Sequence, residues 1–427
     1  MHIAIIGNGI TGITAALRAR EIDPEARITV ISGESKYHYA RPALMYVYMG
    51  HMRYRDTKPF EDHHWDRQRI DLVRDWVTGI DTERKTLRLH RGEALGYDKL
   101  LIATGSKSNK FGWPGQDLDG VQGLWGLQDL ELLYRNSERC RRAVIVGGGL
   151  IGIELGEMLH SRGIHVTFLI REENYCDHIL PREEAMMISR LVRASGMGLI
   201  SGTNLKEILP GDDGRCSAVV TEFGDRIDCD LVGLTPGVSP NIDLLEGTSI
   251  PTGRGVLVDW SLRTGVPDVF AAGDCAEIET PEGERNLIQQ VWYTGRMQGR
   301  VVGEVMVGHE ATYDPGIWFN SAKYLDLEYQ TYGKVQMGVE GEESVYWEHA
   351  DGRHAVRICH VDGEVIGFNF MGIRYRHEVC ERWLREKRDL DYVIGHLAEG
   401  NFDPELFRRY ENEITARLRE QMRELAA

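Results

Sequence analysis

The sequence has few cysteines, and none of them lies in a closely spaced pair. Seven occur among 427 residues, at positions 140, 176, 216, 229, 275, 359 and 380, with no CxxC or CxxxxC motif. Metal knuckles and local redox disulfides depend on such spacing, so the pattern indicates neither. We predict that these cysteines are reduced and mostly buried. The adjacent pair His63 and His64 lacks a nearby third ligand, and we predict no metal site.

Long apolar runs are also absent. The longest apolar stretches are short and typical of strands, far below the ~20 residues that a membrane-spanning helix needs. A strand pattern begins at His2, which leaves no room for a signal peptide. We therefore expect no membrane insertion and a cytoplasmic location.

Positive charge is scarce relative to negative charge. Lys and Arg number 50 against 66 Asp and Glu, which gives a formal net charge of −16. Nucleic acid is an unexpected partner, because phosphate binding relies on Lys and Arg. The acidic surface fits either the steering of a basic partner or a solvating shell, and we favour the solvating shell because charge runs usually mark solvated faces.

Glycine, in contrast, is arranged in two copies of one fingerprint. Residues 7–12 read GNGITG and residues 147–152 read GGGLIG, and each copy follows an apolar run typical of a buried parallel strand and opens a helical pattern. Such a turn brings the backbone and a helix N-terminus to a dinucleotide pyrophosphate. The predicted binding residues are Gly7, Gly9, Ile10, Thr11 and Gly12 in the first copy and Gly147, Gly149, Leu150, Ile151 and Gly152 in the second.

The first copy has the acidic residue that completes the fingerprint. A second strand pattern, residues 27–31, is followed by Glu34, where a carboxylate can accept a bond from a ribose hydroxyl. One chain is therefore predicted to hold two dinucleotides.

Further motifs follow in a characteristic order. They are YARPAL at residues 39–44, YDKLLIATGS at 97–106, TPGVSPN at 235–241 and VFAAGD at 269–274. Together with the two fingerprints, this order resembles the ferredoxin-reductase-like branch of the pyridine nucleotide-disulfide oxidoreductase superfamily. The resemblance covers most of the chain.

The resemblance implies FAD and NAD(P)H as cofactors, with hydride passing from NAD(P)H to the flavin N5. It implies an α/β fold with two Rossmann-like dinucleotide-binding domains, one inserted in the other, a C-terminal α+β domain and a helical tail. The expected segments are FAD-binding residues 1–111 and 244–312, NAD(P)-binding residues 112–243, a β-rich interface domain at 313–372 that implies a homodimer, and a tail at 373–427. The tail should end in an amphipathic helix, with Asp403 as cap, Pro404 in the first turn, and Phe407, Tyr410, Ile414 and Leu418 at helical spacing.

By resemblance, Glu154 lies beside the nicotinamide and flavin and is the first catalytic candidate. Relatives pair it with a lysine, but this chain has Tyr46 in the corresponding segment, so a hydroxyl replaces a cation near the flavin. The same comparison assigns FAD contacts to Arg41, Pro42, Ala103, Thr104, Gly105, Gly237, Gly273, Asp274 and Trp292.

Thiol-dependent relatives carry a cysteine close to the position of Pro42. This chain has no cysteine there, so no thiol can attack from that position. Cys176 and Cys275 are expected to be structural.

Coenzyme choice depends on residues 170–173, where Ile170 replaces the usual acid, Arg171 could bind a 2′-phosphate and Glu172 could accept hydrogen bonds from ribose hydroxyls. The pattern leans to NADH.

We predict an FAD-dependent NAD(P)H oxidoreductase whose acceptor, by resemblance, is a small redox protein such as a ferredoxin or rubredoxin. Two alternatives stay open. One is a reductase of a small molecule, such as a quinone, oxygen or a sulfur compound, and the other is a redox-sensing flavoprotein with slow turnover.

Overall fold

A computed structural model describes residues 1–402 and 408–425. The chain divides into two compact units. The first comprises residues 1–112, 116–140 and 233–315, and the second comprises residues 113–115, 141–232 and 316–427. The sequence analysis placed residues 116–140 in the NAD(P)-binding segment, whereas here they group with the first unit. The functional boundaries of the segments stay predictions.

The first 140 residues form nine strands and four α-helices. They are β1 (His2–Ile6), α1 (Ile10–Ile22), β2 (Arg27–Ile31), α2 (Leu44–Tyr48), α3 (His64–Arg67), β3 (Ile70–Val73), β4 (Val77–Asp81), β5 (Thr86–Leu89), β6 (Ala94–Gly96), β7 (Lys99–Ile102), β8 (Ser106–Ser108), β9 (Val121–Gln122) and α4 (Leu127–Ser137).

The middle of the chain contains a second alternating series and a return to the first unit. These elements are β10 (Arg142–Val146), α5 (Leu150–His160), β11 (His165–Leu169), α6 (Arg182–Ala194), β12 (Gly198–Ile200), β13 (Leu205–Pro210), β14 (Cys216–Thr221), β15 (Arg226–Asp228), β16 (Leu231–Leu234), β17 (Val238–Pro240), β18 (Val256–Val258), β19 (Val269–Ala271), β20 (Ala276–Ile278) and α7 (Trp292–Met306).

The C-terminal residues form five strands and then helices. They are β21 (Phe319–Tyr324), β22 (Leu327–Gly333), β23 (Glu343–Glu348), β24 (Ala355–Val361), β25 (Glu364–Met371), α8 (His377–Arg385), α9 (Leu390–Gly395), α10 (Leu397–Gly400) and α11 (Glu411–Leu425). None of the helices in the described part of the chain has the length and apolar character of a membrane span.

The first unit is built on a parallel sheet in the order β19-β7-β1-β2-β3. After their first residues, the central strands β1 and β7 are apolar and buried on both faces, as parallel strands covered by helices must be. Helices α1 and α7 pack closely because glycines recur every four residues on α7. A Cβ at Gly299 would lie 2.6 Å from the carbonyl oxygen of Thr11, and one at Gly303 would lie 2.8 Å from that of Ala15.

The second unit contains the parallel strands β12, β11 and β10 in that order, followed by an antiparallel sheet of β13, β14 and β15. Its C-terminal part is an antiparallel sheet in the order β21-β22-β25-β24-β23. One face of that sheet packs against α8, α9 and α11 around the buried Trp383 and Phe368. The predicted α/β fold with two Rossmann-like domains is confirmed.

The terminal helix is present, and it begins at Glu411. Ile414 and Leu418 are buried in the core of the C-terminal part, so the helix packs on its own chain. The predicted cap and first-turn residues, Asp403 and Pro404, and the apolar Phe407 lie outside the described residues.

Candidate functional site

The first glycine loop joins β1 to α1, and each glycine meets a different constraint. Gly7 has a φ of +112°, and a Cβ there would lie 2.1 Å from the carbonyl oxygen of Ala103. A Cβ at Gly12 would lie 2.0 Å from the carbonyl oxygen of Gly7. Gly9 has no atom within 4 Å of its would-be Cβ, so it faces open space at the N-terminus of α1. An open glycine at a helix N-terminus fits the close approach of a pyrophosphate.

Hydrogen bonds to the segment after β2 hold this loop in place. The side-chain amide of Asn8 donates to the carbonyl oxygen of Ser35 at 2.8 Å. Nδ1 of His38 lies 2.8 Å from the carbonyl oxygen of Asn8, and burial lowers the pKa of His38. The imidazole is therefore neutral, with its Nδ1 proton donated to the loop. Nothing in the sequence singled out His38, since the contact joins residues 30 apart.

The carboxylate of Glu34 is held by three groups. Arg41 forms a two-pronged ion pair with it, at 2.7 Å to Oε2 and 3.0 Å to Oε1. The backbone N–H of Leu127 donates to Oε1 at 2.9 Å, and the hydroxyl of Tyr39 donates to the same oxygen. Burial favours the neutral acid, but Arg41 outweighs it and lowers the pKa of Glu34. Oε1 is saturated, whereas Oε2 accepts, among the residues that the structure describes, only from Arg41 and keeps a lone pair for a ribose hydroxyl.

Residues after β7 meet residues after β19. The hydroxyl of Ser106 donates to Asp274 at 3.0 Å, and the side-chain amide of Gln290 donates to that hydroxyl at 2.7 Å. Burial raises the pKa of Asp274. Gly273 has a φ of +81°, and its would-be Cβ lies 2.4 Å from the hydroxyl of Thr11. The structure therefore brings the predicted Gly273 and Asp274 to the first glycine loop.

Other predicted residues of the first unit occupy its surface or its turns. Gly105 and Gly237 both have positive φ values, and the hydroxyl of Thr104 donates to the carbonyl oxygen of Asn241 at 2.7 Å. Trp292, at the start of α7, is 38% exposed with the Arg296 guanidinium 5.7 Å from its ring centroid.

The proposed flavin-side tyrosine and its neighbouring turn lie in one short segment. Arg41 and Pro42 begin a 3-10 turn that leads directly into α2, and Pro42 is exposed. Tyr46 lies on α2, half-buried, with its ring stacked on that of His51 at 6.1 Å.

The second glycine loop, between β10 and α5, repeats the geometry of the first. Gly147 has a φ of +122°, and the would-be Cβ of Gly149 meets no atom within 4 Å. Leu150, Ile151 and Gly152 form the first turn of α5. In both loops the first glycine has a positive φ, and the third residue is a glycine with free space where a Cβ would be. This arrangement suits the binding of a dinucleotide.

A tyrosine and a cysteine clamp the second loop. The hydroxyl of Tyr175 donates to the carbonyl oxygen of Gly149 at 3.0 Å. The thiol of Cys176 and its backbone N–H both donate to the carbonyl oxygen of Gly148, at 3.0 and 3.1 Å. Burial raises the pKa of the Cys176 thiol to about 12, so it stays protonated and acts as a donor. Sequence reasoning did not find this clamp.

Glu154 lies on α5, one turn after the second loop. Burial raises its pKa to about 7, with Lys323 lowering it and Glu157 raising it further. Lys323, on β21, donates to both carboxylate oxygens of Glu157 at 2.7 and 2.8 Å. Glu154 can therefore change its charge near neutral pH, and Lys323 is a nearby cation that the sequence did not indicate.

The residues after β11 pair with one another. Nε of the exposed Arg171 donates to Glu172 at 2.7 Å, and Glu172 is largely buried. No disulfide bond joins any of the seven cysteines, and the thiol of Cys275 donates to the carbonyl oxygen of Ile102 at 3.4 Å.

Both glycine loops suit dinucleotides, because each leaves an open glycine where a Cβ would obstruct a phosphate. A family model, pyridine nucleotide-disulphide oxidoreductase, matches residues 1–299. Rhodocoxin reductase from Rhodococcus erythropolis is 30% identical over 332 residues, covering 76% of this chain and 76% of that protein.

Rubredoxin-NAD(+) reductase from Acinetobacter baylyi is 29% identical over 287 residues, covering 65% of this chain and 73% of that protein. The crystal structure of a ferredoxin reductase from Rhodopseudomonas palustris superposes with a TM-score of 0.79 at 25% identity, covering 87% of this chain and 91% of that one. The resemblance inferred from the motifs is confirmed. The chain therefore belongs to the pyridine nucleotide-disulphide oxidoreductase family and is an FAD-dependent NAD(P)H oxidoreductase.

Proposed function

We propose that the protein transfers electrons from NADH, through FAD, to a small redox protein such as a ferredoxin or rubredoxin. The observation that carries the proposal is the pair of glycine loops, each with an open glycine at a helix N-terminus. The relatives named above as rhodocoxin, rubredoxin-NAD(+) and ferredoxin reductases support the class of acceptor.

The first unit is proposed to bind FAD. Gly9 and the N-terminus of α1 would accept the pyrophosphate, and Oε2 of Glu34 would accept a bond from the adenosine ribose. Asp274, held by Ser106, would contact the ribityl and phosphate region. FAD supplies the capacity to accept hydride and release electrons, while the chain supplies orientation and charge.

The second unit is proposed to bind the nicotinamide coenzyme. Gly149 and the N-terminus of α5 would accept its pyrophosphate. Glu154 would then supply a titratable carboxylate beside the nicotinamide, and Tyr46 would supply a hydroxyl beside the flavin. Both roles rest on the family resemblance together with the charge state that burial gives Glu154.

NADH is the proposed coenzyme. Glu172 is well placed by its burial to accept ribose hydroxyls, and the guanidinium of Arg171 is already paired with it. A 2′-phosphate would have to break that pair and approach an acidic side chain. The expected result is a lower KM for NADH than for NADPH, and Glu172→Gln should reduce the difference.

An acceptor outside the protein fits the cysteine pattern. Pro42 stands where thiol-dependent relatives have a cysteine, and six of the seven cysteines are buried. We also propose a cytoplasmic location, because cysteines that form no disulfide suit a reducing compartment. The homodimer is proposed from the family resemblance alone.

The deciding experiment is anaerobic stopped-flow reduction of the FAD-loaded protein by NADH and NADPH, followed by mixing with ferredoxin, rubredoxin, quinone or oxygen. Rapid loss of flavin absorbance with NADH and fast reoxidation by an iron-sulfur or rubredoxin acceptor would support the proposal. Reoxidation only by quinone or oxygen would show that the acceptor is a small molecule and not a redox protein. A reduced flavin that persists with every acceptor would indicate a redox sensor.

A further inference from the structure

A histidine and aspartate cluster lies at the end of the β23–β24 hairpin. β23 ends at Glu348 and β24 begins at Ala355, so the loop between them reads His349-Ala-Asp-Gly-Arg-His354. Nδ1 of His349 and Nδ1 of His354 each lie 2.9 Å from Oδ2 of Asp351. Across residues 1–402 and 408–425, this is the only group that brings together three such ligand atoms, all within 4.8 Å of one another.

The loop backbone fixes the positions of these side chains. The N–H of His349 donates to the carbonyl oxygen of His354 at 2.9 Å, which closes the hairpin. Gly352 adopts a φ of +67° and donates to the carbonyl oxygen of His349 at 3.0 Å. The N–H of Arg353 donates to Oδ1 of Asp351 at 2.8 Å, so that oxygen is occupied and Oδ2 is directed at the two imidazoles.

The distances suit a small tetrahedral ion. Zinc bonds of about 2.0–2.2 Å to imidazole nitrogen and carboxylate oxygen place neighbouring ligand atoms roughly 3.3–3.5 Å apart. The observed 2.9 Å separations need to open by only a few tenths of an ångström.

A partner for the outer nitrogen of His354 is also present. The hydroxyl of Tyr410, just before α11, lies 3.3 Å from Nε2 of His354. Histidines that ligate a metal through one nitrogen usually donate the other N–H to an oxygen, which fixes the tautomer. The side chains of His349, Asp351 and His354 are 14%, 36% and 24% exposed, so an ion can enter from solvent.

We propose that His349, Asp351 and His354 bind one Zn²⁺ ion, through both Nδ1 atoms and Oδ2, with water as the fourth ligand. Imidazole and carboxylate ligands in a four-coordinate site favour zinc over magnesium or calcium, which require more oxygen ligands. The ion would tie the hairpin end, through His354 and Tyr410, to the segment that leads into α11. This site is separate from both glycine loops and does not depend on the proposed electron acceptor.

The test measures zinc directly. Full-length FAD-loaded protein without an affinity tag is stripped with a chelator, dialysed against a small excess of Zn²⁺ and analysed for metal content. The wild type should retain one zinc per chain, and the double variant His349→Gln/His354→Gln should retain none. Asp351→Asn should bind more weakly by about tenfold or more, and Tyr410→Phe by roughly tenfold, as expected for a lost outer-shell partner.

His90→Gln is the matched control, because His90 is an exposed histidine outside the cluster. It should bind zinc like the wild type. Zinc should also raise the unfolding temperature of the wild type and of His90→Gln, but not of the double variant. A wild type without zinc would overturn the proposal, as would cluster variants that keep wild-type zinc content. Flavin absorbance of each variant confirms that it is folded.

Discussion

The charge of Glu154 should make flavin reduction depend on pH near neutrality. Burial raises its pKa to about 7, from an ordinary value near 4.5. The ionised fraction of Glu154 is then about 3% at pH 5.5 and about 97% at pH 8.5. An ionised carboxylate stabilises the positive charge that the nicotinamide gains as hydride leaves. We therefore expect the rate constant of flavin reduction to rise by up to about 30-fold across this range, with its midpoint near pH 7.

The assay is anaerobic stopped-flow with saturating NADH, repeated across this pH range. Glu154→Gln should reduce the flavin slowly, with a flat profile. Glu131→Gln changes an exposed glutamate on α4 and should keep the wild-type profile. Lys323→Met removes the cation that lowers the pKa of Glu154, so the midpoint should move up, whereas Glu157→Gln removes a repulsive neighbour and should move it down.

A flat profile in the wild type, or the same midpoint in Glu154→Gln, would refute the reasoning.

Glu154 affects the stability of the fold in the opposite direction, because stability falls with rising pH whereas the rate of flavin reduction rises. Because the native state holds the Glu154 proton more tightly than the unfolded chain does, its contribution to stability is present below about pH 4.5 and is lost as the pH rises through about 7.

Four further substitutions test the first glycine loop and the ion pair between Glu184 and Arg357. Gly7→Ala places a Cβ 2.1 Å from a carbonyl oxygen at a φ of +112°, so the yield of folded, yellow protein should collapse. Gly9→Ala meets no atom within 4 Å, so it should fold with an unchanged circular dichroism spectrum but bind FAD about tenfold more weakly; equal affinity would contradict a pyrophosphate at this position. Arg357→Met leaves the buried Glu184 without its ion-pair partner, at 2.8 Å in the structure, and should lower the free energy of unfolding by about 3–5 kcal/mol. Adding Glu184→Gln should restore part of that loss in denaturant titrations, and no restoration would argue against the pair as its cause.

The parts of the fold that the sequence predicted are those with a local signature. The apolar runs before both glycine fingerprints form β1 and β10. In these segments burial on one or both faces dictates the residue pattern. The family and its activity followed from the same motifs and are confirmed, whereas the individual site residues remain predictions.

The contacts that the sequence did not predict join residues far apart in the chain. The Glu184–Arg357 pair spans 173 residues, and Lys323 reaches Glu157 across 166. Nothing local distinguishes these side chains from solvated charges. The closeness of His349, Asp351 and His354 was not predicted for a different reason, because their side chains meet only after the β23–β24 hairpin closes.

The parallel sheet of the first unit is completed late in synthesis, because its strands come from distant parts of the chain. Its edge strand β19 and the covering helix α7 come from residues 269–306, whereas β1 and α1 come from residues 2–22. Met306 emerges about 300 residues after Ile6, a delay of roughly 15 to 60 s at ordinary translation rates. During that time the apolar faces of β7 and α1 lack β19 and α7. The nascent segment with β1 and α1 is thus exposed to chaperones, and flavin loading should follow the synthesis of α7.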